Sequence, residues 1–436
     1  MNPDGVLSPK NPSLQPQRSP EQHSMAGFAA PAIDRLRIAM VGAGGRGRGF
    51  IGMLSRMEGV EITAFHDPNP DALAKAREQL GEAGKTPARE FSGPDGWKRV
   101  MDLNDIDLVW IASPWESHAP YSLAAMRSGK HVAVEVPAAV ALEECWELVN
   151  VSESTRRHCH MLENCCYGEV ELLMLSLTRQ GLLGDLVHSE CAYIHDLRDI
   201  KLGRDPKRPE YWRGAHSLKR NGNLYPTHGL GPASMCLGLN RGDAMEYLVS
   251  VSSAEFGLTA AAKEKYGADH PLAKAKWALG DMNTTIIRTA LGRSIMVQHD
   301  CTSPRPYSRI NLLSGVKGIL SDYPLRAALA PDTHQWLPEA ELAKLREERM
   351  HPLWRRMQAK ALEEGGHGGM DYIMAARLVE CLRQGLALDI DVYDTALWSA
   401  IGPLSEMSVA NRGGTVDVPD FTRGEWMWRE PIGLAC

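Results

Sequence analysis

Arg35-Leu36-Arg37-Ile38-Ala39-Met40-Val41-Gly42-Ala43-Gly44-Gly45-Arg46-Gly47 is the stretch on which the fold turns. Its first seven residues form a short apolar strand pattern that runs straight into glycines spaced G-x-G-x-x-G at Gly42, Gly44 and Gly47. The first glycine permits a tight turn, the second lets backbone approach a pyrophosphate, and the third lets the next helix pack closely on the strand. That helix, which opens at Gly45 and Arg46, presents N–H groups where its dipole favours negative charge. Residues 60–66 read as a second strand, and Asp67 stands 20 residues beyond Gly47. A carboxylate there grips the adenosine ribose hydroxyls and repels a 2′-phosphate. Glycines alone are a weak signal. Strand, turn, helix, strand and acid together predict a Rossmann domain that binds NAD rather than NADP.

The alternation continues outward. Residues 107–112, 131–137 and 160–164 read as strands, with helical patterns at 117–128 and 141–156 between them. Alternating strands and helices mean a parallel sheet, and ligands lie beyond the carboxyl ends of its strands. Trp115, Glu116, Ser117, His118, Glu135 and Asn164 therefore project toward one crevice; His118 alone could equally be a helix-entry residue. After residue 165 the rhythm changes to a helix at 169–180 and strand-like runs at 185–195, 247–255, 283–291, 294–300 and 310–320. Helices at 371–384 and 393–410 close the chain. The fold class is α/β: a Rossmann domain (34–164) beside an α+β domain (165–436) built on a mostly antiparallel open sheet. Residues 1–33, rich in Pro, Ser, Gln and Asn, read as a disordered leader.

A net charge of −6 over 436 residues gives no reason to expect a nucleic acid or an anionic membrane as partner. No apolar run reaches the roughly 20 residues of a bilayer crossing. The odd count of nine cysteines suits reduced thiols. Neither Cys165-Cys166 nor His158-Cys159-His160 offers the further ligands of a zinc site, so no metal is expected. Without a charged start followed by an apolar run there is no secretory signal. The sequence as given reads as cytoplasmic, or periplasmic if a native export signal is missing from it.

Chemistry-bearing residues collect in the second half. In Tyr225-Pro226-Thr227-His228, followed by Gly229 and Gly231, a histidine could begin a helix that faces the nicotinamide. Its pKa near neutrality suits proton transfer, although a helix-capping histidine is the blander reading. Tyr307, with an unperturbed pKa of about 10, becomes a base only if its surroundings lower that value. Arg213, beside Tyr211 and Trp212, could face a sugar with fixed donors for hydroxyls or an acetamido carbonyl. Gly365-Gly366-His367-Gly368-Gly369 is either a flexible link or a backbone that approaches a ligand closely.

The order of these motifs resembles the glucose–fructose oxidoreductase/inositol dehydrogenase superfamily. Where many of those enzymes have Glu-Lys-Pro, this chain has Glu135-Val136-Pro137, which counts against a plain sugar dehydrogenase. Glu163-Asn164-Cys165-Cys166-Tyr167, residues 188–197, residues 221–232, Trp115-Glu116-Ser117-His118 and the Gly365–Gly369 segment are instead similar to glycoside hydrolase family 109. That resemblance implies an NAD-dependent α-N-acetylgalactosaminidase acting on a small glycoside or glycan terminus by oxidation, elimination, addition and reduction. It implies NAD contacts at Gly45, Arg46, Asp67, Trp115–His118, Glu135, Val136 and Asn164. It implies substrate contacts at Tyr193, Arg213, Tyr225, Pro226, Thr227, His228 and Tyr307; on that basis His228 and Tyr307 are expected to carry the proton transfers of catalysis, with Tyr225 and Arg213 positioning the sugar. Family members commonly carry a twin-arginine export signal, and this chain shows none. The superfamily's exposed sheet face suggests a homodimer. A net NAD-dependent sugar or cyclitol dehydrogenase is the alternative.

Overall fold

The computed structural model describes residues 16–85, 88–203, 211–432 and 434. The first half alternates β1 (Leu36–Val41), α1 (Gly45–Ser55), β2 (Val60–Asp67), α2 (Pro70–Glu82), β3 (Arg89–Ser92) and α3 (Gly96–Met101). It continues through β4 (Leu108–Ile111), α4 (Trp115–Arg127), β5 (His131–Val134), α5 (Leu142–Thr155) and β6 (Cys159–Met161). These strands form one parallel sheet in the order β3-β2-β1-β4-β5-β6. Every residue of β4 and β5 is buried, as a parallel sheet covered on both faces requires. The short β3 was not foreseen: its pattern in Arg89–Ser92 buries only Phe91.

The second half opens with α6 (Glu169–Arg179), β7 (Leu186–Ile194), α7 (Arg198–Leu202), α8 (Trp212–Lys219) and α9 (Thr227–Leu237). Next come β8 (Met245–Ser252), α10 (Gly257–Tyr266), β9 (Asn283–Thr289), β10 (Ser294–Asp300), β11 (Leu312–Gly315), β12 (Gly318–Ser321) and β13 (Arg326–Leu329). Last are α11 (Glu339–Arg349), α12 (Pro352–Glu364), α13 (Met370–Gln384), α14 (Val392–Ala410) and β14 (Val416–Asp417). The sheet order is β13-β12-β11-β7-β10-β9-β8-β14, with only β7 and β10 parallel. The α/β class with a mostly antiparallel second sheet therefore holds. None of the described helices is long and apolar enough to cross a membrane.

Three expectations need correction. The run 310–320 is two strands, because Val316 and Lys317 form a tight turn between paired Gly315 and Gly318. The strand expected at 160–164 stops at Met161, since the Glu163 carboxylate accepts the Cys165 N–H and turns the chain into a single 3-10 turn. The leader divides: residues 1–15 lie outside the described residues, whereas residues 16–33 are tied down. Arg18 donates to buried Glu153 at 2.9 Å, to Glu425 at 2.6 Å and to the Tyr393 hydroxyl at 3.0 Å. Phe28 lies 4.8 Å from His158, ring centre to ring centre, with the Arg156 guanidinium 4.0 Å over its ring, and Met25 is buried. Too polar to form a core of its own, this segment is held by ion pairs and by Met25, Phe28 and Ile33 packed on the main core.

Glu153 is the hub of that attachment. It is fully buried and also receives Arg423 at 2.7 Å and the Tyr393 hydroxyl at 2.7 Å. Glu153→Ala leaves the Arg423 guanidinium without a counter-charge and Arg18 with Glu425 alone. Urea unfolding should show a loss of about 3–5 kcal/mol, and a variant as stable as wild type would discard this account.

Candidate active site

The glycine turn is built as its spacing demands. Gly42 has φ +94°, and a Cβ there would lie 2.5 Å from the Ala112 carbonyl oxygen. A Cβ on Gly47 would lie 1.9 Å from the Gly42 oxygen, so only glycine lets α1 start this close to β1. At Gly44 and Gly45 a Cβ would meet nothing within 4 Å. The turn is thus tight toward the protein and open toward the cleft, the cradle a pyrophosphate needs. Asp67 closes it, its two oxygens accepting the N–H groups of Ala43 and Asn69 at 2.9 Å each. Gly47→Ala should therefore cost cofactor content and about 1–3 kcal/mol of stability by overpacking. Full NAD content together with an unchanged melting temperature would contradict this.

A cavity of about 450 Å³ runs beyond these strand ends. Gly42, Gly44, Gly45, Arg46, Asp67, Trp115, Ser117, His118, Glu135, Val136, Arg213 and Tyr225 all border it. Gly47, packed under the turn, does not border it, nor do Tyr193, Pro226, Thr227, His228 and Tyr307, and two more of the expected residues are turned to partners. Glu116 turns to His216, 3.1 Å from its Nε2, and Asn164 donates instead to Asp371 at 2.8 Å. His118 reaches the cavity wall, but its ring nitrogens are occupied by the Ser113 and Pro137 carbonyl oxygens, 2.7 Å from each. It braces the loops rather than presenting a free base. The Trp115 indole N–H donates to the Val136 carbonyl at 3.1 Å, which leaves the ring facing the second half.

His228, the second residue of α9, is placed by glycines. A Cβ on Gly229 would lie 2.5 Å from the Ala192 nitrogen of β7, and one on Gly231 would lie 2.9 Å from Glu163 Cγ. Their absence lets α9 press onto the sheet and onto the end of β6. There His228 Nδ1 lies 2.7 Å from Glu163 Oε1. Glu163 is fully buried, and burial alone would raise its pKa. The charge on His228 and hydrogen bonds from His228, Thr227 and the Cys165 amide outweigh that and hold the carboxyl below its ordinary value. In the neutral imidazole, an ionised acceptor on Nδ1 fixes the proton there and leaves Nε2 with a free lone pair.

Aromatic rings frame this histidine. Tyr193 lies 5.2 Å and Tyr225 4.8 Å from it, centre to centre, and Trp115 stands 5.7 Å from Tyr225. Among the described residues, the Arg213 guanidinium meets aromatic faces, 4.5 Å from Trp212 and 5.2 Å from Trp115, rather than a carboxylate. Its donors remain available for a ligand. Tyr307, 6.1 Å from Tyr193, accepts a hydrogen bond from Arg309 at 2.8 Å. Burial pushes the Tyr307 phenol well above its ordinary pKa. The condition for its acting as a base is not met; it keeps its proton and can donate it. Pro226 ends the loop before α9, and Thr227 is fully buried at the first helical position.

Glu163, Cys165 and His228 bring ligand atoms within 4.8 Å of one another, a grouping compatible with a cation. The carboxylate and Nδ1 are already partners, and burial raises the Cys165 thiol far above its ordinary pKa. The trio reads more simply as an acid–base pair with a neutral neighbour. Sequence reasoning missed Glu163 and Asp371. The strand-end rule that singled out Asn164 points equally to Glu163, one residue earlier. For Asp371, on a helix far along the chain, there was no comparable signal.

Residues 36–162 match the family model described as oxidoreductase family, NAD-binding Rossmann fold, and residues 167–428 match the one described as glycosyl hydrolase 109, C-terminal domain. The chain is 47% identical over 416 residues to glycosyl hydrolase family 109 protein 2 of Shewanella sp. (strain ANA-3), covering 94% of this chain and 91% of that one. It is 45% identical over 412 residues to an alpha-N-acetylgalactosaminidase of Bacteroides fragilis, covering 94% and 97%. Among solved structures, levoglucosan dehydrogenase in complex with NADH and L-sorbose superposes with a TM-score of 0.67 at 19% identity. The match covers 89% of this chain and 100% of the other. At that identity the likeness speaks for the fold alone.

Proposed function

The chain belongs to glycosyl hydrolase family 109, and from that premise we propose that it removes terminal α-linked N-acetylgalactosamine from a small glycoside or glycan end, with NAD held in the cleft. The single observation that carries the chemistry is the His228–Glu163 pair, with the His228 ring 4.8 Å from Tyr225 on the wall of the cleft. The glycine turn, open at Gly44 and Gly45, would take the pyrophosphate, and Asp67 the adenosine ribose. When bound, NAD would supply a hydride acceptor and donor for the sugar's carbon 3, so that the proton on carbon 2 becomes acidic and the glycosidic oxygen leaves by elimination.

The protein's own part is positioning and proton transfer. His228 Nε2 takes the carbon-2 proton and later returns it, while Glu163 keeps the other nitrogen protonated. Tyr307 accepts from Arg309 and so keeps its own proton for the departing glycosidic oxygen; water then adds at carbon 1 and gives a proton back to the Tyr307 oxygen as His228 returns its proton to carbon 2. Arg213 holds the acetamido carbonyl, and Tyr193 and Tyr225 pack against the sugar ring. Because hydride goes out and back, no oxidant is consumed.

A chromogenic α-N-acetylgalactosaminide offered without added NAD should be cleaved, with deuterium from heavy water appearing at carbon 2 of the product. Cleavage without exchange would remove the elimination route. Accumulation of NADH with the free sugar, and no cleavage, would favour a net dehydrogenase.

A further inference from the structure

Arg46, in the glycine turn, has no free charge to offer a pyrophosphate. Its guanidinium donates to Glu135 at the end of β5 at 2.6 Å and to both oxygens of Asp371 at 2.6 and 3.0 Å, and it lies 4.5 Å from the Phe50 ring. Asp371 begins α13, 325 residues away in the chain. Its carboxylate also accepts Asn164 Nδ2 at 2.8 Å and sits 2.8 Å from His367 Nδ1. One buried carboxylate thus gathers the glycine turn, the end of the parallel sheet and the segment before α13.

That segment is the glycine-rich loop. Gly365, Gly366, His367, Gly368 and Gly369 all have positive φ, from +48° to +94°. No chain of ordinary residues adopts such a run. Gly366 must also lack a side chain, since a Cβ there would lie 2.9 Å from Asp371 Cβ and Oδ2. The only side chain the loop carries, His367, is turned onto Asp371. Burial opposes the charge of Asp371, but the hydrogen bonds from His367 and Arg46 outweigh it and hold the carboxyl far below the carboxylate range.

We infer that Asp371, presented by the Gly365–Gly369 loop, is a positioning residue for the cofactor: through Arg46 it latches the glycine turn shut on bound NAD, so that NAD exchanges slowly. The inference rests on the cofactor reading above and says what these residues do for it. A dehydrogenase must release its reduced cofactor at every turnover, whereas this reaction returns it to its starting state in place. A latch across both halves of the chain suits the second case.

The test follows bound cofactor, not turnover alone. NAD content is measured on wild type, Asp371→Asn and His367→Ala after exhaustive gel filtration, and the exchange rate is read with isotopically labelled NAD. Asp371→Asn keeps the shape and removes the charge; its exchange should be about 30-fold faster or more, the lower range for breaking a buried charge pair. Its activity should return at saturating NAD. His367→Ala, at a largely exposed side chain, should exchange several-fold faster. Exchange unchanged in either folded variant overturns the latch, as does lost activity in Asp371→Asn that saturating NAD fails to restore. A wild-type protein that binds no NAD overturns the cofactor reading itself, and the latch with it.

Discussion

His228→Ala is expected to lower glycoside cleavage by about 10²- to 10⁴-fold, the usual worth of a positioned acid–base group, while NAD content stays at the wild-type level. The separation of effects is the point. His228 stands on α9 against Glu163, whereas the glycine turn and Asp67 stand at the opposite, β1–β2 part of the cleft. Removing the imidazole leaves the buried Glu163 carboxylate without this partner, a cost that falls on stability and not on the glycine turn. Carbon-2 deuterium exchange should fall in parallel with cleavage, since one proton transfer underlies both. A variant that retains more than about a tenth of the activity would take the proton-transfer role from His228. Retained exchange with lost cleavage would move the defect to the leaving-group side and so to Tyr307.

Glu163→Gln should be nearly as damaging, although it touches no substrate. The amide keeps the volume but cannot hold an imidazolium, and it permits the ring to flip or to carry its proton on Nε2. The same exchange in a well-studied catalytic triad costs about 10⁴-fold; here a loss of about 10²- to 10⁴-fold in kcat with little change in KM is expected. The pH behaviour gives a second readout. The native pKa of Glu163 is depressed below its ordinary 4.5. Its contribution to stability is therefore fully present above that ordinary value and disappears as pH falls through the lower native one. Glu163→Gln should remove this part of the acid-side loss of stability. A wild-type kcat and pH profile in a folded Glu163→Gln protein would reduce the residue to packing.

The Rossmann half was legible because its signals are local. A strand of consecutive apolar residues, glycines at fixed spacing and an acid at the end of the next strand all lie within residues 36–67, and each has one steric or electrostatic reason. The rhythm of the second half was legible as well, down to β10, whose limits match residue for residue. What failed was also local: a two-residue turn without the usual turn chemistry at Val316-Lys317, and a leader whose few apolar residues hid that Arg18 meets a buried glutamate.

The candidate site divides along the same line. Which residue types can do the chemistry (His228, Tyr307, Arg213, the glycines) can be read from consecutive letters, because a motif is a statement about backbone geometry over a few residues. Which of them are free to do it cannot. His118 is spent on two carbonyls, Arg46 on two carboxylates, and Tyr307 is kept protonated by burial. The partners that decide this stand 65 residues away for His228 and 325 for Arg46. A carboxylate's charge depends on its desolvation and on which donors the folded chain brings within 3 Å. No spacing rule carries that information; only the packing of α9 and α13 against the ends of the parallel strands supplies it.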